Sequence, residues 1–300
     1  RSTASLSIKA IAVAFATVTM FYQDLTILVN EALKNELLSY ILVIPFLFTY
    51  IIYRKKEIIR AAIPLDSQSS DKIFLHPEVV GATLFFITLL LYCYGSFTFT
   101  PLEYHVFALP IFVTACILIL FNMQTLKQLV FPIMFLFFLV PPPTEIVYAL
   151  GSLLSQVSTE AACRILSLFG FSASISMSYN NPIIMINQPN GTTLSFMVDI
   201  ACSGIYSLLG FLIFATFIVY IARGKAWKRA TLFIIGFPLI YLLNILRITI
   251  IVLLGYYYGI ELAMNAFHLL GGWVLIFLGT LLLLAVSERI LKIQLFTKIN

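Results

Sequence analysis

Long apolar runs without a charge constrain this 300-residue chain more than any other feature of its sequence. Several runs reach the roughly 20 residues that a helix needs to cross about 30 Å of hydrocarbon. Charged residues make up only 10 % of the chain, whereas soluble domains contain about 25 %. In lipid every backbone N–H and C=O needs an internal partner, and these runs are too long for barrel strands. The sequence therefore predicts an all-α polytopic membrane protein and excludes a soluble globule.

The apolar runs predict about eight transmembrane helices. Lys and Arg collect on the cytoplasmic side of membrane proteins, so their positions indicate orientation. With both termini in the cytoplasm, 15 of the 18 basic residues lie inside, which favours an N-in, C-in topology. The net charge of +5 is thus an orientation signal and does not imply a nucleic-acid partner. The predicted spans cover residues 8–29, 37–53, 79–95, 104–121, 128–147, 201–222, 231–255 and 265–286.

The whole chain, 1–300, is predicted to form a single integral membrane domain. Residues 1–128 carry no charge pair at matching depth, so we interpret them as lipid-facing scaffold helices. Residues 129–286 form the predicted functional core, and residues 287–300 form a cytoplasmic tail.

The sequence pattern changes twice between the fifth and sixth spans. Apolar positions recur every three or four residues over 145–170, which predicts an amphipathic helix on the outer surface. From 172 to 198, short apolar runs alternate with the turn signals Asn180-Asn-Pro182 and Pro189-Asn-Gly191. This pattern predicts a small extracytoplasmic β element of two or three strands. Asn190 also begins a glycosylation sequon, and the sequence leaves open whether it is modified.

Arg247 is the single charge in the apolar stretch 230–260, where a guanidinium costs about 2.5–3.5 kcal/mol. A charge that is this costly should be paired or functional. Cys202 and His268 lie near the start of the two neighbouring spans, and the predicted topology brings all three residues to one depth in the outer leaflet. A thiol, a guanidinium and an imidazole at one level of consecutive helices indicate a catalytic site.

Two neighbouring residues support this hypothesis. Asp199 is predicted to cap the sixth span, which places Cys202 in the first turn, where the helix dipole and a nearby cation favour the thiolate. Asn244 precedes Arg247 by three residues, so it shares a helix face with Arg247 and can hold it by a hydrogen bond.

Ordinary interpretations of the same residues stay open. Cys202 could be a small apolar side chain, or it could form a disulfide with Cys163. His268 could be an interfacial residue at the start of a helix. The four cysteines have no CxxC spacing, so the sequence predicts no metal site.

The sequence resembles the exosortase/archaeosortase family of membrane cysteine transpeptidases, with the archaeosortase branch preferred. The resemblance covers roughly residues 130–286 and rests on three blocks of sequence. They are Ala201-Cys-Ser-Gly204, Asn244-Ile-Leu-Arg247, and His268 followed by Gly272-Trp273.

The resemblance implies that the chain recognises a C-terminal sorting signal on exported proteins in a prokaryotic, preferably archaeal, cell membrane. Cleavage would proceed through a thioacyl enzyme on the extracytoplasmic side, with transfer to an acceptor, preferably a lipid. We hypothesise that Cys202 is the nucleophile, that Arg247 stabilises the thiolate and oxyanion, and that His268 is the general acid and base. The supporting residues would be Asp199, Ser203, Gly204 and Asn244. No cofactor is required.

Three other functions remain compatible with the sequence. A membrane cysteine protease would use the same residues but release its product to water. A transporter would use Arg247 as an anion site, although no convincing internal repeat supports this interpretation. A non-catalytic assembly factor is the third.

Overall fold

A computed structural model of the chain describes residues 2–62, 76–179, 181–189, 191–222, 225–269 and 272–289. The chain forms two compact units, Arg1–Pro143 and Thr144–Asn300. Each unit has its own buried side chains and its own polar contacts, so each is described separately below.

The first unit consists of helices in the part of the chain that the structure describes. Proline begins α4 and α5, a position where the missing N–H has no helical partner to lose. Short 3₁₀ segments at Glu36–Val43 and Leu136–Leu139 adjoin α3 and α6. The helices are α1 (Ser2–Met20), α2 (Tyr22–Lys34), α3 (Ile44–Ala62), α4 (Pro77–Gly95), α5 (Pro101–Leu120) and α6 (Met123–Phe135).

The first predicted span, 8–29, is not one straight helix. Helices α1 and α2 meet at a bend of 73° around Phe21, whose backbone leaves the helical region. The Phe21 ring is fully buried and packs edge-on against Tyr92 and Phe112. Aromatic packing at the break thus accompanies the bend, and whether the bent pair forms the one span predicted over 8–29 stays a prediction.

A buried polar network joins three helices of this unit. The Asp24 carboxylate on α2 lies 2.7 Å from Nδ1 of His105 on α5, and Tyr92 on α4 donates its hydroxyl to the other carboxylate oxygen at 2.8 Å. The Tyr92 ring also stacks on the imidazole, with centroids 3.8 Å apart. Ser96 Oγ lies 3.1 Å from His105 Nε2. The sequence prediction of plain scaffold helices did not include this buried polar network.

The second unit begins with α7 (Thr144–Leu168) and a three-stranded antiparallel sheet. The β element predicted over 172–198 is confirmed, with β2 in the centre and both neighbours joined to it in unbroken register. Ile184 and Ile186 of β2 are fully buried against Ala162 and Leu166 of α7 and Ile248 of α9. Asn190 lies outside the described residues. The strands are β1 (Ala173–Ser178), β2 (Asn181–Asn187) and β3 (Thr193–Met197).

Helix α7 confirms the helical part of the prediction for 145–170, but it buries a different face from the apolar one. Its buried face carries small residues that allow close packing, namely Gly151, Ser155, Ser158 and Ala162. Its large apolar residues are exposed, among them Ile146, Leu150, Leu153 and Val157. The two-sided helix that the sequence pattern predicts is thus present, and its small residues face the protein. Its position on the outer membrane surface stays a prediction.

Four further helices follow in the described part of the second unit, and three of them form a buried core cluster. Phe211 on α8, Leu232 and Ile240 on α9 and Leu283 on α11 form one buried cluster. The predicted last span, 265–286, falls on two helices, α10 and α11, and residues 270–271 between them lie outside the described residues. The helices are α8 (Ile205–Ile221), α9 (Ala226–Tyr258), α10 (Ile260–Leu269) and α11 (Gly272–Arg289).

The predicted fold class, an all-α polytopic membrane protein with a small sheet, is confirmed. Within the described residues, four helices are long and apolar enough to cross a membrane, or up to six if each of two bent helix pairs is one span. Helix α8 has only 17 residues, which is short for a span. The count of eight spans and the N-in, C-in topology stay predictions.

Replacing Asp24 by Asn is expected to lower the stability of the first unit. Removing one partner of a buried hydrogen bond costs about 1–3 kcal/mol, because the other polar group stays buried. The measurement is the loss of helical circular dichroism on heating the detergent-solubilised protein. The control is Glu31→Gln, which changes an exposed carboxylate on the same helix and should shift stability by less than about 0.5 kcal/mol. Equal melting temperatures for the two variants would contradict a stabilising role.

Candidate active site

Cys202 lies in a tight turn that is held by its own side chains. Its backbone N–H donates to the Asp199 carboxylate at 3.0 Å and to the Asp199 carbonyl at 3.1 Å. Ser203 Oγ donates to the Ile200 carbonyl at 2.7 Å and accepts the N–H of Ile205 at 3.2 Å. Asx and Ser side chains often fix turns in this way. The turn therefore presents the thiol in a defined direction before α8 begins.

Gly204 ends the turn and allows α9 to approach it. Its φ is +87°, a left-handed conformation that favours glycine. A Cβ atom at this position would lie 2.7 Å from Cγ and Nδ2 of Asn244. Any larger residue would therefore be strained and would also push Asn244 away from the turn.

Asn244 and Arg247 both bind the backbone carbonyl oxygen of Cys202. Asn244 donates Nδ2 at 3.2 Å, and Arg247 donates Nη2 at 3.3 Å. The Arg247 residue is only 5 % exposed, so the structure confirms that this costly charge lies beside Cys202. The two residues share one face of α9, as their spacing predicts, and they meet at a common acceptor.

The surroundings of the Cys202 thiol favour its protonated form. Burial raises its pKa to about 12, and the neighbouring Asp199 carboxylate adds to this effect, whereas Arg247 acts in the opposite direction. The predicted placement in the first turn of a helix was wrong, because α8 starts only at Ile205 and Cys202 lies outside it. Burial and the Asp199 carboxylate thus outweigh the lowering of the thiol pKa that the sequence predicts from Arg247 and the helix dipole.

Cys202 and Cys163 are both free thiols, so the alternative of a disulfide between them is not realised. Cys163 is buried on α7 among small side chains. Cys202 is half-buried and remains accessible as a reactive group.

His268 lies on α10, but its side chain is outside the side chains that the structure describes. Its distance to Cys202 therefore stays a prediction. Helix α10 itself packs against α9, where Ala263 comes close to Gly255.

A pocket of about 330 Å³ opens beside the Cys202 thiol. Most of its wall is apolar, and the charged group in its lining is Asp199. The sheet, the turn, α9 and α10 all contribute to it, with Ser195, Phe196, Met197, Val198, Asp199, Ala201, Cys202, Ile248, Ile251, Val252, Ile260 and Met264 as its lining.

Two contacts that position this site were not predicted from the sequence. Ser155 on α7 donates its hydroxyl to the Val198 carbonyl, which holds the segment that leads into the turn. Gly255 lets the Phe196 ring of β3 pack directly on α9. The stripe of small residues on α7 was visible in the sequence and could have indicated the first contact.

Together these features define a polytopic membrane protein in which a buried guanidinium and a cysteine turn meet beside an apolar pocket. The chain belongs to the transmembrane exosortase family (Exosortase_EpsH), whose family model matches residues 32–285. Comparison with curated proteins and with solved structures gives no match. The family match starts at residue 32, so it also includes helices that the sequence pattern alone marked as general scaffold. Membership of this family gives the chain a general role as a membrane transpeptidase in protein sorting.

Asp199→Asn is expected to make Cys202 more reactive towards iodoacetamide. Asn keeps an oxygen that can accept the Cys202 N–H but removes the negative charge, so the thiol pKa falls and more thiolate is present at pH 8. A fall of one pKa unit increases the thiolate fraction about tenfold, partly offset by lower nucleophilicity. The measurement is the alkylation rate at Cys202 by peptide mass mapping, with the exposed Cys93 as internal control.

The wild-type pH profile gives an independent check. Because thiolate is the reactive form, the Cys202 rate should rise about tenfold per pH unit from pH 7 to 10 without levelling off. A plateau near pH 8 would contradict the raised pKa.

Proposed function

We propose that this protein cleaves the C-terminal sorting signals from exported proteins, with Cys202 as nucleophile. It then transfers the cleaved proteins to an amine-bearing acceptor, preferably a lipid. The observation that carries the proposal is the pair of donors from α9, Asn244 and Arg247, on the carbonyl of Cys202. Burial of a guanidinium is costly, and its placement against the turn that carries the free thiol of Cys202 is explained by catalysis.

In the first half-reaction, Cys202 Sγ attacks the scissile carbonyl while its proton passes to a base. A tetrahedral oxyanion forms, and Arg247 stabilises the negative charge. The C–N bond then breaks, the leaving amine takes the proton from the base, and a thioester remains on Cys202. In the second half-reaction, the acceptor amine attacks the thioester, an amide bond forms, and the proton returns to the Cys202 thiolate.

His268 is the proposed base and acid. The raised pKa of the Cys202 thiol means that a base must take its proton during attack, and an imidazole titrates in the suitable range. Met264 on α10 lines the pocket, and position 268 follows it by about one helical turn, which supports a role for His268 at this site. The proposed active site faces the extracytoplasmic side of a prokaryotic cell membrane, with an archaeal source preferred.

Replacement of Cys202 by Ala or Ser is expected to abolish processing of a co-expressed exported protein that carries a C-terminal sorting signal. The matched control is Cys93→Ala, which removes an exposed thiol in the first unit and should process normally. The mass of the mature C-terminus is the measurement. An added lipid mass supports transfer, whereas a free carboxylate means release to water. Full processing by Cys202→Ala would contradict the enzymatic proposal and favour a transporter or an assembly factor.

Arg247→Lys is expected to lower kcat about 100-fold with little change in KM. Lys keeps the charge but lacks the planar fork that holds a developing oxyanion, and loss of one such donor has this magnitude. Arg164→Lys is the control, since Arg164 forms an exposed ion pair with Glu160 on α7. Near-normal kcat for Arg247→Lys would mean that the guanidinium acts only as a counter-charge.

A further inference from the structure

The third strand of the sheet has a free edge that leads directly to Cys202. The strand order is β1-β2-β3, so β3 pairs with β2 on one side only. Its last residue, Met197, precedes Cys202 by only five positions. Unpaired edge strands are templates for a further strand.

The hydrogen bonds of the sheet show which backbone groups point to this edge. Val198 N–H donates to the Pro182 carbonyl and Gln188 N–H donates to the Thr192 carbonyl, at 2.9 and 2.8 Å. Antiparallel pairs alternate between bonded and non-bonded positions. The residues of β3 that bond to β2 are therefore the even-numbered ones. The backbone N–H and C=O of Ser195 and Met197 face outwards, and the described part of the chain gives them no backbone partner.

The edge is held rigidly against the helix that carries Arg247. The Phe196 ring packs on Gly255 so closely that a Cβ atom there would lie 2.3 Å from the ring. Ser155 donates its hydroxyl to the carbonyl of Val198, the first residue after β3. The backbone groups of β3 are thus preorganised, which reduces the entropy that a partner strand must lose on binding.

The edge and the thiol share one pocket. Ser195 and Met197 line it together with Cys202, while Ile251, Ile260 and Met264 form an apolar wall. A peptide strand added to β3 would place alternate side chains on this wall. A large apolar side chain fits it, and an acidic side chain would lie beside the Asp199 carboxylate.

We infer that the free edge of β3 binds the segment of the substrate that flanks the scissile bond as a fourth antiparallel or parallel strand, with one large apolar side chain in the pocket beside Cys202. The inference rests on the proposed function and adds the class of substrate conformation and side chain that the site recognises. Backbone pairing supplies affinity in this mode of recognition, and the pocket supplies specificity.

Peptidyl chloromethyl ketones provide a probe that requires no native substrate. Their reactive carbon alkylates a thiol, and their backbone can pair with a strand. One tripeptide reagent ends in phenylalanine and the other in aspartate. Iodoacetamide, which has no peptide strand to pair, measures the intrinsic reactivity of Cys202. All rates are determined at Cys202 by peptide mass mapping of the full-length protein in detergent.

The decisive variant is Ser195→Pro, which removes one outward N–H without removing a bond to β2, a position where edge strands accept proline. We expect it to slow the phenylalanine reagent about tenfold and to leave the iodoacetamide rate unchanged. In the wild type, the phenylalanine reagent should react about tenfold faster than the aspartate reagent.

Two control variants isolate the backbone effect. Ser195→Ala keeps the N–H and loses only the hydroxyl. Met177→Pro removes an outward N–H from the opposite edge, and Met177 resembles Met197 in exposure, at 53 % against 48 %. Met177→Pro should react like the wild type with all three reagents, and Ser195→Ala gives the reference rates against which Ser195→Pro is compared.

Three outcomes would overturn strand pairing. The first is equal rates for Ser195→Pro and Ser195→Ala, and the second is a matching loss of iodoacetamide reactivity in Ser195→Pro. The third is conversion of a wild-type dimer to a monomer by Ser195→Pro, which would assign the edge to a second copy of the chain. Failure of the proposed function looks different, because it shows as normal sorting by Cys202→Ala whatever the reagents do.

Discussion

The carbonyl oxygen of Cys202 is the point on which the arrangement of the second unit depends. Two side chains of α9 donate to it, so the turn from Asp199 to Gly204 is fixed to a helix more than 40 residues further along the chain. Because Arg247 is buried, it needs an acceptor, and the turn provides one. The same contact that makes a costly charge tolerable therefore also positions the thiol beside the pocket.

The sequence predicted those features of the fold and site that follow from the cost of polar groups in lipid. Long apolar runs predicted membrane helices. The isolated charge of Arg247 in one predicted span indicated a site shared with Cys202 in the preceding span. Other features depend on neighbours that are distant in the chain. Gly204, which precedes α8 in a left-handed conformation, lies directly against Asn244. The pKa of the thiol depends on burial and on Asp199, which the helix-dipole argument did not weigh.

In the first unit, too, buried polar groups have polar partners, but no local sequence pattern indicated this network. Asp24 and His105 are 81 residues apart, and each lies near the end of an apolar run, where a single polar residue is common. Only the packing of α2, α4 and α5 shows that Tyr92 completes the pair. On α7 the small residues are buried and the large apolar residues are exposed, because small residues allow the closer helix contact.

The high pKa of the Cys202 thiol also makes the resting enzyme chemically quiet. Oxidants and stray disulfides react with thiolate far more readily than with thiol. Burial and the Asp199 carboxylate favour the protonated sulfur, so Cys202 is less prone to sulfenic acid formation. In the proposed reaction, ionisation would then take place only when a bound partner and a base are both present.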